Sequence, residues 1–155
     1  TVEQLQAETD KVFGKLLDDR LEPMPGLMPL LDTLEANNVP KAIATSSRRH
    51  FAEQVLARFD LEPRFLFVLT GDDVEQGKPH PEIYLSAASR LNCPPHQMLV
   101  LEDSQNGCAA AVAAGAFAVA VPGAQSANHT FEGAQFVADG LGDSRIYEAL
   151  GVIAQ

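Results

Sequence analysis

Three apolar runs of the sequence are each followed by polar side chains that could do chemistry. A lysine lies in the loop before the third run. The polar groups are Thr45-Ser46-Ser47, Asp72-Asp73 and Glu102-Asp103-Ser104, and Lys78 stands between a glycine and a proline. A hydroxyl and a lysine can bind phosphate oxygens, while Mg²⁺ favours one or two carboxylates together with phosphate and water. These residue types therefore predict a site for phosphate and magnesium.

Each group also has a purely structural interpretation. Thr45-Ser46-Ser47 could cap the following helix, and Lys78 could be an ordinary solvated lysine. Asp72-Asp73 is typical of a turn, and Glu102-Asp103-Ser104 suits the positive N-terminal end of a helix. No single group decides between the structural and the functional interpretation. The order and combination of the four groups favour a functional site.

The elements around these residues predict an α/β fold with a parallel sheet. Runs of four or more apolar residues suit strands that are buried on both faces, and such strands alternate here with helical patterns. The carboxyl ends of parallel strands share one edge, where ligands bind in open α/β sheets. We expect strands at 41–44, 65–69, 98–101, 117–121 and 136–138. We expect helices at 3–20, from 27 up to Asn37-Asn38, and at 51–59, 82–91, 108–114 and 144–150.

Composition narrows the class of protein. A chain of 155 residues can form one domain with a real core, and a net charge of −10 argues against nucleic acid or an anionic membrane as the main partner. No apolar run approaches the roughly 20 residues of a membrane span, and Cys93 and Cys108 give no disulfide framework. We expect a cytoplasmic protein.

A dinucleotide-binding domain is disfavoured because no Gly-x-Gly-x-x-Gly follows a predicted strand.

Three segments together resemble motifs of the haloacid dehalogenase superfamily, in its branch of helical-cap phosphatases and β-phosphoglucomutase-like enzymes. The segments are 42–47, which ends in the hydroxyl group, 77–84, which holds the lysine, and 99–107, which holds the acid pair. The resemblance covers about residues 25–121. It implies a Rossmann-like, three-layer core.

The resemblance also implies roles for the residues. Thr45 and the Ser46 amide would bind the transferring phosphoryl group, and Lys78 would neutralise it. Asp103 would hold Mg²⁺, with Glu102 supporting it or ligating the metal directly. Ser47 would be a secondary contact to phosphate or substrate.

One motif of the family is missing. Its first motif is Asp-x-Asp, in which the first aspartate is the nucleophile and the second the general acid/base, yet no two of the ten aspartates here are two residues apart. We interpret 1–22 as the last helix of the cap with its linker and 23–155 as the core, so the first strand and most of the cap are absent. In the family that strand lies between the strands that end at Thr45 and Glu102, and its absence would expose unpaired strand edges. The favoured explanation is that these residues are a piece of a longer protein whose N-terminal part was lost or stays bound; strand exchange with another copy and a natural non-catalytic short form are the alternatives.

The resemblance predicts a Mg²⁺-dependent enzyme that hydrolyses the phosphate monoester of a small phosphorylated metabolite through an aspartyl-phosphate. The nucleophile is not in this chain, and this chain alone is expected to be inactive. The runner-up is a sugar phosphomutase. A different class stays open, namely an inactive domain that binds phosphate or Mg²⁺ or associates with itself.

Overall fold

The computed structural model describes residues 21–153 and, before them, positions 1, 4, 8–9, 11–12 and 14–15. The helix expected at 3–20 lies largely outside the described residues. The division between a cap remnant and a core domain at residue 22 therefore stays a prediction.

Within residues 21–153 the chain alternates helices and strands in the expected order. The helices at 82–91 and 144–150 begin and end where the sequence predicts, and the helix expected at 51–59 begins two residues earlier. The elements are α1 (Leu27–Ala36), β1 (Ile43–Ala44), α2 (Arg49–Arg58), β2 (Val68–Leu69), α3 (Glu82–Leu91), β3 (Leu99–Glu102), α4 (Gln105–Ala113), β4 (Phe117–Ala120), β5 (Phe136–Val137) and α5 (Ser144–Leu150), with short 3-10 turns at Glu62–Arg64, Gly71–Asp73 and Pro95–Gln97.

All the strand pairs in this part of the chain are parallel, which confirms the α/β class. They form two pieces of sheet, one with the order β1–β2 and one with the order β3–β4–β5. Ile43 lies opposite Val68 in the first piece, and Leu101 lies opposite Val119 in the second. β1 and β3 are not hydrogen-bonded to each other, so each presents an edge toward the space between the pieces.

The sheet pieces are covered by helices on both faces, as in a three-layer fold. On one face α3 and α4 pack against Val100 of β3, and on the other α1 and α5 pack against Leu99 and Leu101. Consecutive side chains of β3 are thus apolar because they enter opposite layers. α1 joins the two pieces, since Leu30 packs with the β3–β4 side and Leu31 with the β1–β2 side.

Helix α4 lies close to β3 because its inward side chains are small. Cys108, Ala110 and Ala111 are fully buried. The helix begins at the N-cap Ser104, whose hydroxyl accepts a hydrogen bond from the Gly107 N–H at 3.0 Å, as is typical of a capped helix.

Among the described residues, no helix is both long and apolar enough to cross a membrane.

Candidate functional site

Lys78 connects the carboxyl ends of the two sheet pieces. Its ammonium donates a hydrogen bond to the Ala44 carbonyl at 3.0 Å and forms an ion pair with the Glu102 carboxylate. Ala44 is the last residue of β1 and Glu102 is the last residue of β3. The structure therefore brings the predicted lysine to the same edge as the hydroxyl group that follows β1 and the acid pair at the end of β3.

The Glu102 carboxylate is fully engaged within the protein. One oxygen accepts hydrogen bonds from Lys78 and from the Tyr84 hydroxyl, and the other accepts one from the Ser104 hydroxyl at 3.1 Å. The residue is 8% exposed. Both oxygens thus have partners in the described part of the chain, and one of these partners is Lys78, which Glu102 positions. The expectation that Glu102 supports Asp103 at the metal or ligates Mg²⁺ itself stays a prediction.

Tyr84 is a member of the site that the sequence reasoning missed. It lies in the first turn of α3, on the buried face of the helix. Burial first, and then the negative charge of Glu102, raises the pKa of Tyr84 above its ordinary range, so the phenol stays protonated and donates. A tyrosine among the apolar residues of a buried helix face was the available signal, since a buried hydroxyl needs a partner.

Gly107 is a second residue that was missed. It packs directly against the Glu102 carboxylate, and a methyl group at this position would overlap the carboxylate atoms. Glycine is about 1 kcal/mol less favourable than alanine inside a helix, so its presence in α4 signals a close contact. This contact confines the Glu102 carboxylate from the side of α4.

The hydroxyl segment after β1 is open on the same edge. The Thr45 hydroxyl accepts a hydrogen bond from the Ser47 N–H at 3.1 Å, and Ser46 and Ser47 are exposed. The N-cap of α2 is Arg48, which makes no side-chain capping bond. The helix-cap interpretation of these residues is therefore not what the structure shows, and their predicted role in phosphate binding stays a prediction.

Asp72 and Asp73 fix the loop that holds the hydroxyl segment. The Arg49 N–H donates to Asp72 at 2.9 Å, and the Arg49 guanidinium donates to Asp73 at 2.6 Å. Asp73 also accepts hydrogen bonds from the N–H and the hydroxyl of Thr70, and the hydroxyl is the main reason that the pKa of Asp73 is lowered. The turn interpretation of this acid pair agrees with the structure.

A close backbone contact also joins these two loops. The Gly71 N–H donates to the Ser47 carbonyl at 2.9 Å, and a Cβ at Gly71 would lie 2.6 Å from the Ser46 carbonyl oxygen. Glycine is thus required for the approach of the loop after β2 to the loop after β1.

Asp103 is the carboxylate at this edge that is available to a cation. It is exposed, and it receives no hydrogen bond or ion pair within the described part of the chain. No cluster of three or more His, Cys, Asp and Glu side chains that could hold a metal occurs among the described residues. One free carboxylate meets the lower limit of what Mg²⁺ uses beside phosphate and water, so Asp103 fits this ion.

The resemblance seen in the motifs extends over most of the chain. A model of the haloacid dehalogenase-like hydrolase family matches residues 2–115. The chain belongs to this family. A phosphorylated carbohydrates phosphatase from Thermotoga maritima is 38% identical over 112 residues, which are 72% of this chain and 50% of that protein.

Solved structures of the family share the fold. CbbY from Rhodobacter sphaeroides, in complex with xylulose-(1,5)-bisphosphate, has a TM-score of 0.82 at 27% identity over 90% of this chain and 64% of that one. β-Phosphoglucomutase from Clostridium difficile has a TM-score of 0.77 at 27% identity over 96% and 66%. The chain spans about half or less of the length of the first curated relatives it matches.

Proposed function

We propose that the protein to which these residues belong hydrolyses phosphate monoesters of small phosphorylated metabolites, with Mg²⁺ bound at Asp103. The observation that supports this most strongly is the position of Lys78 between the ends of β1 and β3. Phosphoryl transfer depends mainly on positioning and on neutralisation of charge, and this edge of the sheet holds groups for both.

Each residue has a role that follows from its contacts. The Thr45 hydroxyl oxygen already accepts from Ser47, so its proton is free to be donated to a phosphoryl oxygen, as is the exposed Ser46 N–H. Lys78 neutralises the phosphoryl charge, and Glu102 with Tyr84 keeps the ammonium aimed at the edge. When bound, Mg²⁺ would supply further positive charge to the phosphate.

Covalent catalysis requires a nucleophile that this sequence does not contain in the expected form. No Asp-x-Asp occurs in the 155 residues. We therefore propose that the aspartate that forms the aspartyl-phosphate lies in polypeptide outside them, and that it reaches the phosphate at the edge defined by Lys78 and Thr45.

Two relatives support a proposal for the substrate class. One is named for phosphorylated carbohydrates, and another was solved with a sugar bisphosphate. A sugar phosphate is accordingly the first candidate. The likeness to β-phosphoglucomutase favours sugar phosphomutase activity as the second candidate function, because the residues at this edge serve both reactions.

The experiment is a product assay on the protein encoded by the complete reading frame that contains these residues. Sugar phosphates, phosphoglycolate and other small monoesters are incubated with Mg²⁺ or with EDTA, and free phosphate and isomerised sugar phosphate are quantified. Free phosphate that depends on Mg²⁺ supports the phosphatase, and an isomerised sugar phosphate without free phosphate supports the mutase. If the protein binds inorganic phosphate but turns over none of these substrates, the result would support the inactive binding domain instead.

The charge of the chain bears on its partners. A net charge of −10 disfavours nucleic acid and anionic membranes as partners. We propose a cytoplasmic protein whose main ligand is the phosphorylated metabolite.

A further inference from the structure

Asn106 and Gly107 form the one Asn-Gly pair in the sequence, and they lie in the first turn of α4. Asparagine is among the thermolabile residues, because the backbone nitrogen of the next residue can attack its side-chain amide. Glycine hinders this attack least, since it has no Cβ and a permissive backbone. The other four asparagines are followed by asparagine, valine, cysteine or histidine. Asn106 is therefore the asparagine of this sequence that is most open to deamidation.

The position of Asn106 makes its side-chain amide accessible to water. Asn106 is exposed, whereas Gly107 is buried. The pair begins α4 directly after the carboxyl end of β3, so Asn106 lies at the edge of the sheet where the phosphate site is proposed. Any chemical change at Asn106 therefore occurs at this edge.

The glycine of the pair is required by the packing of α4 against β3. A larger residue after Asn106 would slow the attack, but a Cβ at Gly107 would overlap the Glu102 carboxylate. The oxygens of this carboxylate accept hydrogen bonds from Lys78 and Tyr84, among others. The contact that confines Glu102 thus requires the glycine that makes Asn106 labile.

The Ser104 hydroxyl restrains the nitrogen that would attack. N–H groups in the first turn of a helix have no partner within the helix, and that of Gly107 donates to the Ser104 hydroxyl at 3.0 Å. While this bond is made and Asn106 keeps its helical backbone, the Gly107 nitrogen is not positioned to close a ring onto Asn106 Cγ. Attack requires the first turn to open, so its rate follows the population of the open turn.

We propose that Asn106 is a site of spontaneous deamidation whose rate is set by the hydrogen bond between Ser104 and Gly107. The Gly107 nitrogen gives its proton to a base in the solvent and attacks Cγ of Asn106. A C–N bond forms, the side-chain nitrogen leaves as ammonia, and a succinimide ring results. Water then adds to the ring and breaks one of its two C–N bonds, at Cγ to give aspartate or at the backbone carbonyl to give isoaspartate.

Both products add a negative charge to the edge that carries Asp103. Aspartate is favourable in the first turn of a helix, so α4 can keep its start. Isoaspartate inserts a methylene group into the backbone of this turn and so changes the spacing between Ser104 and Gly107. Since the Ser104 hydroxyl also donates to Glu102 at 3.1 Å, this product alters the support of the Glu102 carboxylate. The chemical conversion does not depend on the proposed phosphatase activity, so the two can fail separately.

The test follows individual peptides of the protein encoded by the complete reading frame. The folded protein is kept in mildly alkaline buffer, which removes the proton of the attacking nitrogen more often, and samples are digested at intervals. Chromatography with mass analysis separates the peptide that contains Asn106 from its aspartate and isoaspartate forms, in which a hydroxyl replaces the amide nitrogen. Asn128 is the internal control, since it is exposed in a turn but is followed by histidine. The matched variants are Ser104→Ala, which removes the cap bond, and Ser104→Thr, which keeps a capping hydroxyl.

In the folded protein Asn106 is expected to convert faster than Asn128, with isoaspartate among the products. The Ser104→Ala protein should convert about fivefold faster than the original, because loss of an N-cap bond raises the population of the open turn by about that factor. The Ser104→Thr protein should stay close to the original rate. The inference is overturned if Asn106 converts no faster than Asn128, or if Ser104→Ala converts no faster than Ser104→Thr. The first comparison needs no variant, so it decides the matter even where a Ser104 variant does not fold.

Discussion

Lys78 and Glu102 form a buried ion pair in which each side chain is only 7% exposed. The pair joins the loop before α3 to the end of β3, at the edge where the phosphate site is proposed. A buried charge that loses its partner destabilises a protein far more than a surface charge does. Loss of either partner is therefore expected to lower the stability of the fold and to change the geometry of the site.

Replacing Glu102 by glutamine should lower the free energy of unfolding by about 3 kcal/mol, because the Lys78 ammonium is left buried without a counter-charge. Urea unfolding followed by circular dichroism measures the change. The double variant Lys78→Met/Glu102→Gln should be less destabilised than the sum of the single variants, since both charges are then gone.

A control for this prediction is Glu53→Gln on α2. Glu53 is 57% exposed and lies 3.9 Å from Arg49, so its loss should change the free energy of unfolding by about 0.5 kcal/mol or less. Equal effects of the two substitutions, or strict additivity in the double variant, would mean that the Lys78–Glu102 pair is not coupled.

Replacing Gly107 by alanine should destabilise the protein by about 1–3 kcal/mol, although alanine is the better helix former. The added methyl group would overlap the Glu102 carboxylate and force it away from its partners. Gly140→Ala is the matched control, because nothing lies within 4 Å of a Cβ at that position. If thermal unfolding shows Gly107→Ala to be as stable as the original chain, the contact with Glu102 does not restrict this position.

Tyr84 should make the protein less stable at alkaline pH. Its pKa is raised in the folded state by burial and by Glu102, whereas an unfolded tyrosine ionises near pH 10. Stability from this group is thus complete below about pH 10 and is lost as the pH rises above it, at up to about 1.4 kcal/mol per pH unit.

The comparison that isolates this effect is Tyr84→Phe against the original chain between about pH 9 and 11.5. The variant should be less stable at neutral pH by about 1–2 kcal/mol, since its hydrogen bond to Glu102 is missing, and the difference should shrink as the pH rises. A difference that stays constant over this range would contradict the raised pKa.

The two cysteines should react at different rates with iodoacetamide at pH 8. Burial, and after it the charge of Glu102, raises the pKa of the Cys108 thiol to about 11, and the residue is fully buried. Cys93 is partly exposed. Peptide mass analysis should find Cys93 alkylated first and Cys108 protected until urea is added; early labelling of Cys108 would show that α4 does not stay packed on β3.

Much of the fold could be predicted because it depends on local patterns. Helix α3 begins directly after Pro81 and helix α5 is capped by Asp143, so sequence signals set their limits. The strand expected at 65–69 is reduced to Val68–Leu69, and Leu66 within the expected range is 68% exposed. Its Leu66 N–H still donates to the Lys41 carbonyl at 2.9 Å, so pairing extends beyond the regular strand.

The site was harder to predict because its contacts join distant residues. Tyr84 and Glu102 are 18 positions apart, and their contact depends on how α3 packs against β3. The pattern of polar groups at strand ends predicted which loops meet at one edge. It did not predict that Glu102 contacts Lys78 and Tyr84, because those contacts depend on how distant elements pack together.

The most direct test of the account is the rate of phosphate release by the protein of the complete reading frame with Lys78 replaced by methionine. Loss of a positioned donor to developing charge typically costs on the order of 100-fold or more in kcat. The kcat of the Lys78→Met protein should therefore fall at least that far, while its circular dichroism spectrum is retained. Lys15→Met, at an exposed position, should keep its rate. A Lys78→Met protein that turns over within about twofold of the original rate would contradict the placement of the phosphate site at this edge of the sheet.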